Sequence, residues 1–338
     1  MSVPLARLID ADTVRQAVTL SDLIEPTAAA LAEFSQGLGE APVIVFAPQD
    51  SAGDVHVKSA WLAGHAIFTV KVASWFAARA AQGCSAASGH IAIHSASTGD
   101  LVAVLQDEHY LTDIRTGAAG AVAASLLARP GSTRLAVLGT GVQARQQVAA
   151  ACLVRPIDTV VIWGRRAAAA EAMRADILHD CPELNVLVAA DARSAVRGAD
   201  IIVTATASRD PILQGAWLEP GQHVTAVGAD DPAKAELDPA CFARASIVVV
   251  DSRDSAPVFA GDLRHAIGTQ AISRQGIHAE LGEILNGRRP GRQDARDITI
   301  AKLIGLGVQD LTAAEVVLGR LKSASSAETP CTCDGLDR

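Results

Sequence analysis

Six residues near the middle of the chain, Gly139-Thr140-Gly141-Val142-Gln143-Ala144, have the types and spacing that a nucleotide pyrophosphate requires. The first glycine permits a tight turn and the second lets a phosphate approach the backbone. Ala144 is small enough for close contact between the following helix and the strand behind it. The N-terminus of that helix would offer unpaired amides to the phosphates. In NAD sites an acid at the end of the next strand holds the ribose hydroxyls. Here the next strand ends in Gly164-Arg165-Arg166, so no carboxylate repels a 2′-phosphate and two guanidinium groups are available to pair with it. The expected cofactor is therefore NADP(H), with NAD(H) possible. Thr206, Ala207, Val227 and Gly228, at the ends of two later apolar runs, complete the expected cofactor-binding set.

A strand must lead into such a turn and a helix must leave it. Arg134–Leu138 is an unbroken apolar run, residues 143–154 read as a helix, and Thr159–Trp163 is a second strand. Helical residues 167–178 and strands at 185–189, 201–206, 223–227 and Ile247–Val250 continue the alternation. Apolar strands separated by helices imply a parallel sheet covered on both faces, a doubly wound α/β Rossmann fold. Residues 1–115 differ. Strand-like pieces at Val43–Phe46, 54–59, 68–74, 90–94 and 101–105 are separated by turn signals, which predicts a mostly antiparallel sheet. An opening helix at 11–37 is expected to break at Pro26, and 116–128 to form the helix joining the two parts. The polar tail 323–338 is expected to be disordered.

Several segments together resemble the ornithine cyclodeaminase/mu-crystallin family. They are Gly53-Asp54-Val55-His56-Val57-Lys58, Val70-Lys71-Val72-Ala73, Tyr110-Leu111-Thr112-Asp113-Ile114-Arg115-Thr116, the glycine turn, residues 226–237, Ala279-Glu280-Leu281-Gly282-Glu283 and Gly305-Leu306-Gly307-Val308-Gln309-Asp310. The resemblance implies a Rossmann domain at 116–304. It also implies an α+β substrate and dimerisation domain made from 1–115 with a C-terminal helix at 305–322, and hence a homodimer. It implies that Lys71 and Arg115 hold a substrate α-carboxylate and that Asp230 lies beside the substrate nitrogen as proton acceptor or donor. These roles make chemical sense by themselves. Arg115 offers a planar fork and Lys71 a point charge to a carboxylate, and Asp230 or Lys71 can move the proton that hydride transfer at the α-carbon demands.

Three functions fit this resemblance. The first is an NAD(P)H-dependent reductase or dehydrogenase of small 2-imino or 2-amino acids. The second is an ornithine cyclodeaminase, an ammonia-releasing lyase with catalytic NAD. The third is a non-catalytic cofactor-binding protein, against which Lys71, Arg115 and Asp230 argue. Two departures lie in the expected substrate region: Val43 stands where the resemblance implies an arginine anchor, and Cys84-Ser85-Ala86-Ala87 replaces a Leu-Pro segment. The strand Val43–Phe46, expected by resemblance to line the far end of the pocket, carries no acid. An unpaired ammonium there would cost several kcal/mol, which favours the reductase with a small apolar or cyclic imino acid. Asp50 and Asp54 are the acids that a loop could bring to that end.

Composition narrows the classes further. The 338 residues are 49% hydrophobic, 20% charged and only 3% aromatic, with a net charge of −8. That is a globular chain with a small-residue core and no attraction for nucleic acid or anionic membranes. The N-terminal residues carry no signal-like pattern and the longest apolar runs are too short to span a bilayer. Six scattered cysteines indicate no disulfide scaffold, so a cytoplasmic setting is expected. His90 and His94 share a predicted strand face without a third ligand, and Cys331-Thr332-Cys333 sits in the tail, so no metal site is expected. Trp61, Trp75 and Tyr110 read as packing residues, with the tryptophans able to wall a pocket.

Overall fold

The computed structural model describes residues 5–48 and 53–327 and contains two sheets. The first comprises β1 (Arg7–Asp10), β2 (Gly39–Glu40), β3 (Val43–Phe46), β4 (Gly53–Leu62), β5 (Ile67–Phe76), β6 (Ala87–Ser95) and β7 (Leu101–Gln106). Its order is β1-β7-β6-β5-β4-β2, with β3 also on β4, and every pair is antiparallel except β1 with β7. Helices α1 (Ala11–Ala17), α2 (Leu20–Phe34) and α3 (Ala77–Ala81) accompany it, and α4 (Tyr110–Leu127) leads away.

The second sheet is wholly parallel, in the order β10-β9-β8-β11-β12-β15-β13-β14. Its strands are β8 (Arg134–Leu138), β9 (Thr159–Trp163), β10 (Asn185–Val188), β11 (Ile201–Thr204), β12 (His223–Ala226), β13 (Ile247–Val250), β14 (Ala279–Glu280) and β15 (Thr299–Lys302). Strand order reverses between β8 and β11, the switch point at which doubly wound sheets bind ligands. Around it run α5 (Val142–Val154), α6 (Ala167–Asp180), α7 (Ala192–Val196), α8 (Pro239–Arg244), α9 (Ala256–Phe259), α10 (Gly261–Gly268) and α11 (Leu281–Leu285). The last helix, α12 (Gly307–Ala327), returns to pack on β4, β5 and α2, and its Ala313, Ala314 and Val317 join the core of the first sheet. No helix among the described residues is long and apolar enough to cross a membrane.

Three expectations change. The opening helix breaks at Val18-Thr19, not at Pro26. Thr19 and Asp22 form a capping box that starts α2, and Pro26 sits inside the helix. Residues 323–327, expected in the tail, continue α12, while the remainder of the tail, including Cys331 and Cys333, lies outside the described residues. Helix α4 begins six residues before 116, so Thr112, Asp113 and Arg115 ride on one rigid helix.

Strand β15 was not foreseen, because it is only four residues long and ends in a fully buried lysine. Lys302 Nζ faces Asp262 Oδ2 at 3.4 Å with both side chains wholly inaccessible, and neither atom finds a hydrogen-bond partner among the described residues, while Asp262 Oδ1 accepts from the Leu263 amide at 2.9 Å. Breaking a buried pair from one side costs about 3–5 kcal/mol because it strands the other charge. Lys302→Met is therefore expected to destabilise by that amount, and adding Asp262→Asn should recover much of it. Urea unfolding of the two single variants and the double variant checks this, and simple additivity would refute the coupling.

Candidate active site

A cavity of about 740 Å³ lies between the two sheets. Strands β4 and β5 build one wall. Alternation turns Asp54, His56 and Lys58 to the same face, and the antiparallel register sets them opposite Trp75, Ala73 and Lys71. The wall descends from Asp54 and Trp75 at the rim to the two lysines at the floor, both buried.

The floor is organised by Asp310 in the first turn of α12. Lys71 Nζ donates to its Oδ1 at 2.8 Å and Arg115 Nε donates to the same oxygen at 3.0 Å. Arg115 Nη1 also donates to Gln309 Oε1 at 3.0 Å. Lys58 Nζ donates instead to the backbone carbonyls of Ile304 (2.7 Å) and Gly305 (2.9 Å). The amides of those two residues donate to Asp251 Oδ2 at 2.9 and 2.7 Å, so the loop is held from behind. Gly305 has φ +75°, and a Cβ there would strike the Arg115 guanidinium, so glycine is needed on both counts. Burial and the Arg115 charge push Lys71 down to about 7 and Lys58 down to about 8. Burial works to raise the Asp310 carboxyl, but Lys71 and Arg115 hold it below its ordinary value.

Asp230 stands beyond the carboxyl end of β12. Lys234 Nζ donates to Asp230 Oδ1 at 2.7 Å and lies 3.0 Å from Asp231 Oδ2. Burial opposes ionisation of Asp230, yet Lys234, with His56, holds it far below the usual carboxylate range. Across the cavity is the glycine turn. Gly139 packs against the Ala205 carbonyl with φ +138°, and a Cβ there would collide with it. Around Gly141 there is open space, and no side chain caps the helix that begins after it. The open space at Gly141 and the uncapped amides fit a dinucleotide pyrophosphate. Gln143 Nε2 donates to Asp113 Oδ1 at 3.0 Å, and the same oxygen lies 3.0 Å from His109 Nδ1. Glu236, wholly buried, accepts from Thr204 Oγ1 (2.8 Å), the Thr206 amide (2.6 Å) and hydroxyl (2.9 Å), and the Gly228 amide (2.8 Å). It thereby ties together the ends of β11 and β12.

Of the residues expected to act, Lys71, Arg115 and Asp230 line this one cavity. So do Gly141, Val142 and Gln143 from the turn, and Thr206, Ala207, Val227 and Gly228 from the sheet edge. Gly139, Thr140 and Ala144 frame the turn from behind. Gly164, at the end of β9, touches Thr140, while Arg165 and Arg166 are exposed outside the cavity lining. Neither guanidinium has an ion-pair partner among the described residues. Lys58, Gln309, Asp310, Lys234 and Glu236 were not foreseen as site residues. The alternation of Asp54, His56 and Lys58 was the signal for the first of these, and nothing local marked Glu236.

The expectation that β3 lines the far end of the pocket is overturned. Strand β3 pairs outside β4, with Ile44 and Phe46 exposed, and none of its residues reaches the cavity. Asp54, Trp75 and the segment Ser85-Ala86-Ala87 stand there instead. Asp50 lies outside the described residues. Trp61 is exposed away from the cavity, His94 stacks on Phe68, and the Tyr110 hydroxyl donates to the Val18 carbonyl at 2.8 Å.

Fold and cavity together define a doubly wound α/β protein with a dinucleotide-type crevice facing a cationic floor. Residues 7–325 match the ornithine cyclodeaminase/mu-crystallin family, and the chain belongs to it. It is 34% identical over 316 residues to a Delta(1)-pyrroline-2-carboxylate reductase of Bacillus cereus, covering 93% of this chain and 96% of that protein. It is also 34% identical over 299 residues to the ketimine reductase mu-crystallin of Mus musculus, covering 87% and 90%. The structure of Thermococcus litoralis Delta(1)-pyrroline-2-carboxylate reductase, in complex with NADH and L-proline, superposes with a TM-score of 0.90 at 27% identity. That match covers 94% of this chain and 98% of the other.

The lowered lysine values set a pH dependence. A carboxylate ligand held by these lysines would need them charged, so its affinity is expected to be full at low pH and to fall as pH rises through about 7 to 8. A bound anion favours the charged form and moves the fall upward. Calorimetric titration with 2-oxobutanoate between pH 6 and 9.5 reads the effect. Constant affinity across that range would show that neither lysine contributes charge to binding.

Proposed function

We propose that the protein is an NAD(P)H-dependent reductase of small 2-imino acids, working in reverse as a dehydrogenase of the matching 2-amino acids. The observation that carries this reading is the pair of buried cations, Lys71 and Arg115, aimed by one carboxylate into a cavity that the glycine turn also faces. Fold stability alone disfavours such charges, which also speaks against a purely cofactor-storing role. Relatives named as pyrroline-2-carboxylate and ketimine reductases support it.

When bound, the reduced nicotinamide supplies the hydride that the substrate α-carbon accepts. Arg115 and Lys71 hold the α-carboxylate and so fix the α-carbon, which is where much of the rate advantage of a bound substrate arises. Asp230 is kept ionised by Lys234, so its role is that of a carboxylate holding the protonated imine nitrogen. Lys71, poised near neutrality, is the group suited to giving the product nitrogen its proton. Residues 116–304 would form the cofactor domain, and 1–115 with α12 the substrate domain. A homodimer through the first sheet, implied by the family, would cover the exposed Leu8, Ile44 and Phe46. The protein would act in the cytoplasm.

The cyclodeaminase reading gains one observation, since Asp54 lines the cavity and offers an acceptor for a distant ammonium. His56, 3.5 Å away, competes for it. Net cofactor consumption separates the two. We expect stoichiometric oxidation of the reduced nicotinamide with cyclic imines or with 2-oxo acids plus ammonia. Ammonia and proline from ornithine without net absorbance change would instead establish the lyase. In the same assay Arg115→Ala should raise KM and lower kcat with little effect on cofactor affinity, and Asp230→Asn should mainly slow the chemical step.

The preference for NADP(H) rests on Gly164 and on the unpaired Arg165 and Arg166. NADPH is expected to bind more tightly than NADH by about 1.5–3 kcal/mol, the scale of a charge-assisted bond. Replacing both arginines with alanine should erase that difference. Nicotinamide fluorescence titrations measure it, and equal affinities in the unmodified protein would reverse the assignment.

A further inference from the structure

Lys58 and Lys71 sit directly opposite one another on β4 and β5, on the same sheet face, and both are buried. Like charges opposed across strands destabilise a sheet, and burying each ion carries its own desolvation cost. An apolar side chain in place of Lys58 would fold more easily. Among the described residues its ammonium contacts no carboxylate within 4 Å, and its two bonds to the 304–305 loop leave a third N–H available. That loop also abuts the Arg115 guanidinium, so Lys58, Arg115 and Lys71 converge on one patch of the cavity floor.

The charges segregate. At the floor Lys71 and Arg115 share one carboxylate, Asp310, and Lys58 beside them contacts none among the described residues. Asp251 sits behind the loop outside the cavity lining, where burial raises its carboxyl pKa against the two loop amides it accepts, and Asp230 and Asp251 act on Lys58 without contacting it. On the opposite side two carboxylates, Asp230 and Asp231, share one cation, Lys234. With both lysines protonated, the form a bound anion favours, the floor has two more cations than contacting carboxylates and the wall one more carboxylate than cations. Asp54 and Asp113 each face a histidine. A monocarboxylate with a protonated imine would satisfy the wall but leave one floor cation uncompensated.

We infer that the preferred substrate is a short-chain 2-imino dicarboxylic acid, with Lys58 the anchor for its second carboxylate. The inference rests on the reductase reading and narrows it. The protonated imine carbon gains a hydride from the reduced nicotinamide and the nitrogen then takes up a proton. The products are the 2-amino dicarboxylate and oxidised nicotinamide, a two-electron exchange with nothing left over.

The test compares kcat/KM for imines formed from ammonia with oxaloacetate and with 2-oxobutanoate, a pair that differs in the terminal carboxylate. The dicarboxylate should be favoured by about tenfold or more, the scale of one charge-assisted bond. Lys58→Met should collapse that ratio and Lys58→Arg should retain most of it. Should Lys58→Met not fold, protection of the unmodified protein against thermal unfolding by succinate, compared with butyrate, reads the same preference. Equal or reversed preference in the unmodified protein, or an unchanged ratio in Lys58→Met, overturns the inference while leaving the reductase standing. If no imine of any kind is reduced, the reductase reading itself fails.

Discussion

One oxygen atom holds the two sheets' shared site together. Asp310 Oδ1 receives both Lys71 and Arg115, while Oδ2 is buried without a hydrogen-bond partner. Two cations from different elements, β5 and α4, are thereby set side by side by a third element, α12. Attraction between buried ions repays their desolvation only when geometry is good, so α12 must be placed accurately. Its seat on β4, β5 and α2 does this with apolar side chains. One turn beyond Asp310, His65 lies between Glu315 of α12 at 2.9 Å and Glu33 of α2 at 2.9 Å. Burial disfavours the imidazolium, but these two carboxylates raise its pKa. The clasp fixes α12 against α2 at the level where the carboxylate must point.

Glu236 has the corresponding role in the parallel sheet. Its two oxygens accept four donors from the ends of β11 and β12, where a doubly wound sheet opens its crevice. Burial raises its pKa, and the charge of Lys302, carried by β15, counters this. The edge that must stay open for a ligand is thus closed underneath by a carboxylate that meets a compensating charge from β15, the strand beside β12. Polar groups are spent on holding backbone in place, and the ligand meets backbone and small side chains.

How much of this was legible in the sequence follows from the range of each interaction. The central parallel strands were readable where they are buried on both faces and therefore apolar without a break, as residues 135–138 and Ile247–Val250 show. The glycine turn was readable because its demands are local. Lys71, Arg115 and Asp230 came from family resemblance, since each alone looks like a surface charge. Asp310 lies 195 residues from Arg115, and no local pattern announces that they meet. Helix α2 shows the reverse failure: Pro26 is a strong local signal, but the capping box at Thr19 and packing against α4 determine where the helix begins. The misplacement of β3 had the same origin, because an edge strand and a pocket strand share one composition.

The opposed lysines give the last step. Stability alone would remove them: replacing a buried ionic cluster with packed apolar groups is often neutral or favourable by about 1–4 kcal/mol. Here the cluster lines a cavity, its carboxylates are fewer than its cations, and the residues that aim it come from both ends of the chain. A fold that keeps such a cost at one place retains it for a ligand that brings the missing charge, and the sign of the imbalance says that the ligand is an anion. The opposite imbalance at Asp230, Asp231 and Lys234 says that the same ligand carries a cation a short distance away. Together they suit the proposed substrate, whose carboxylates would meet the floor and whose iminium would meet Asp230, with the reacting carbon between them on the side of the glycine turn.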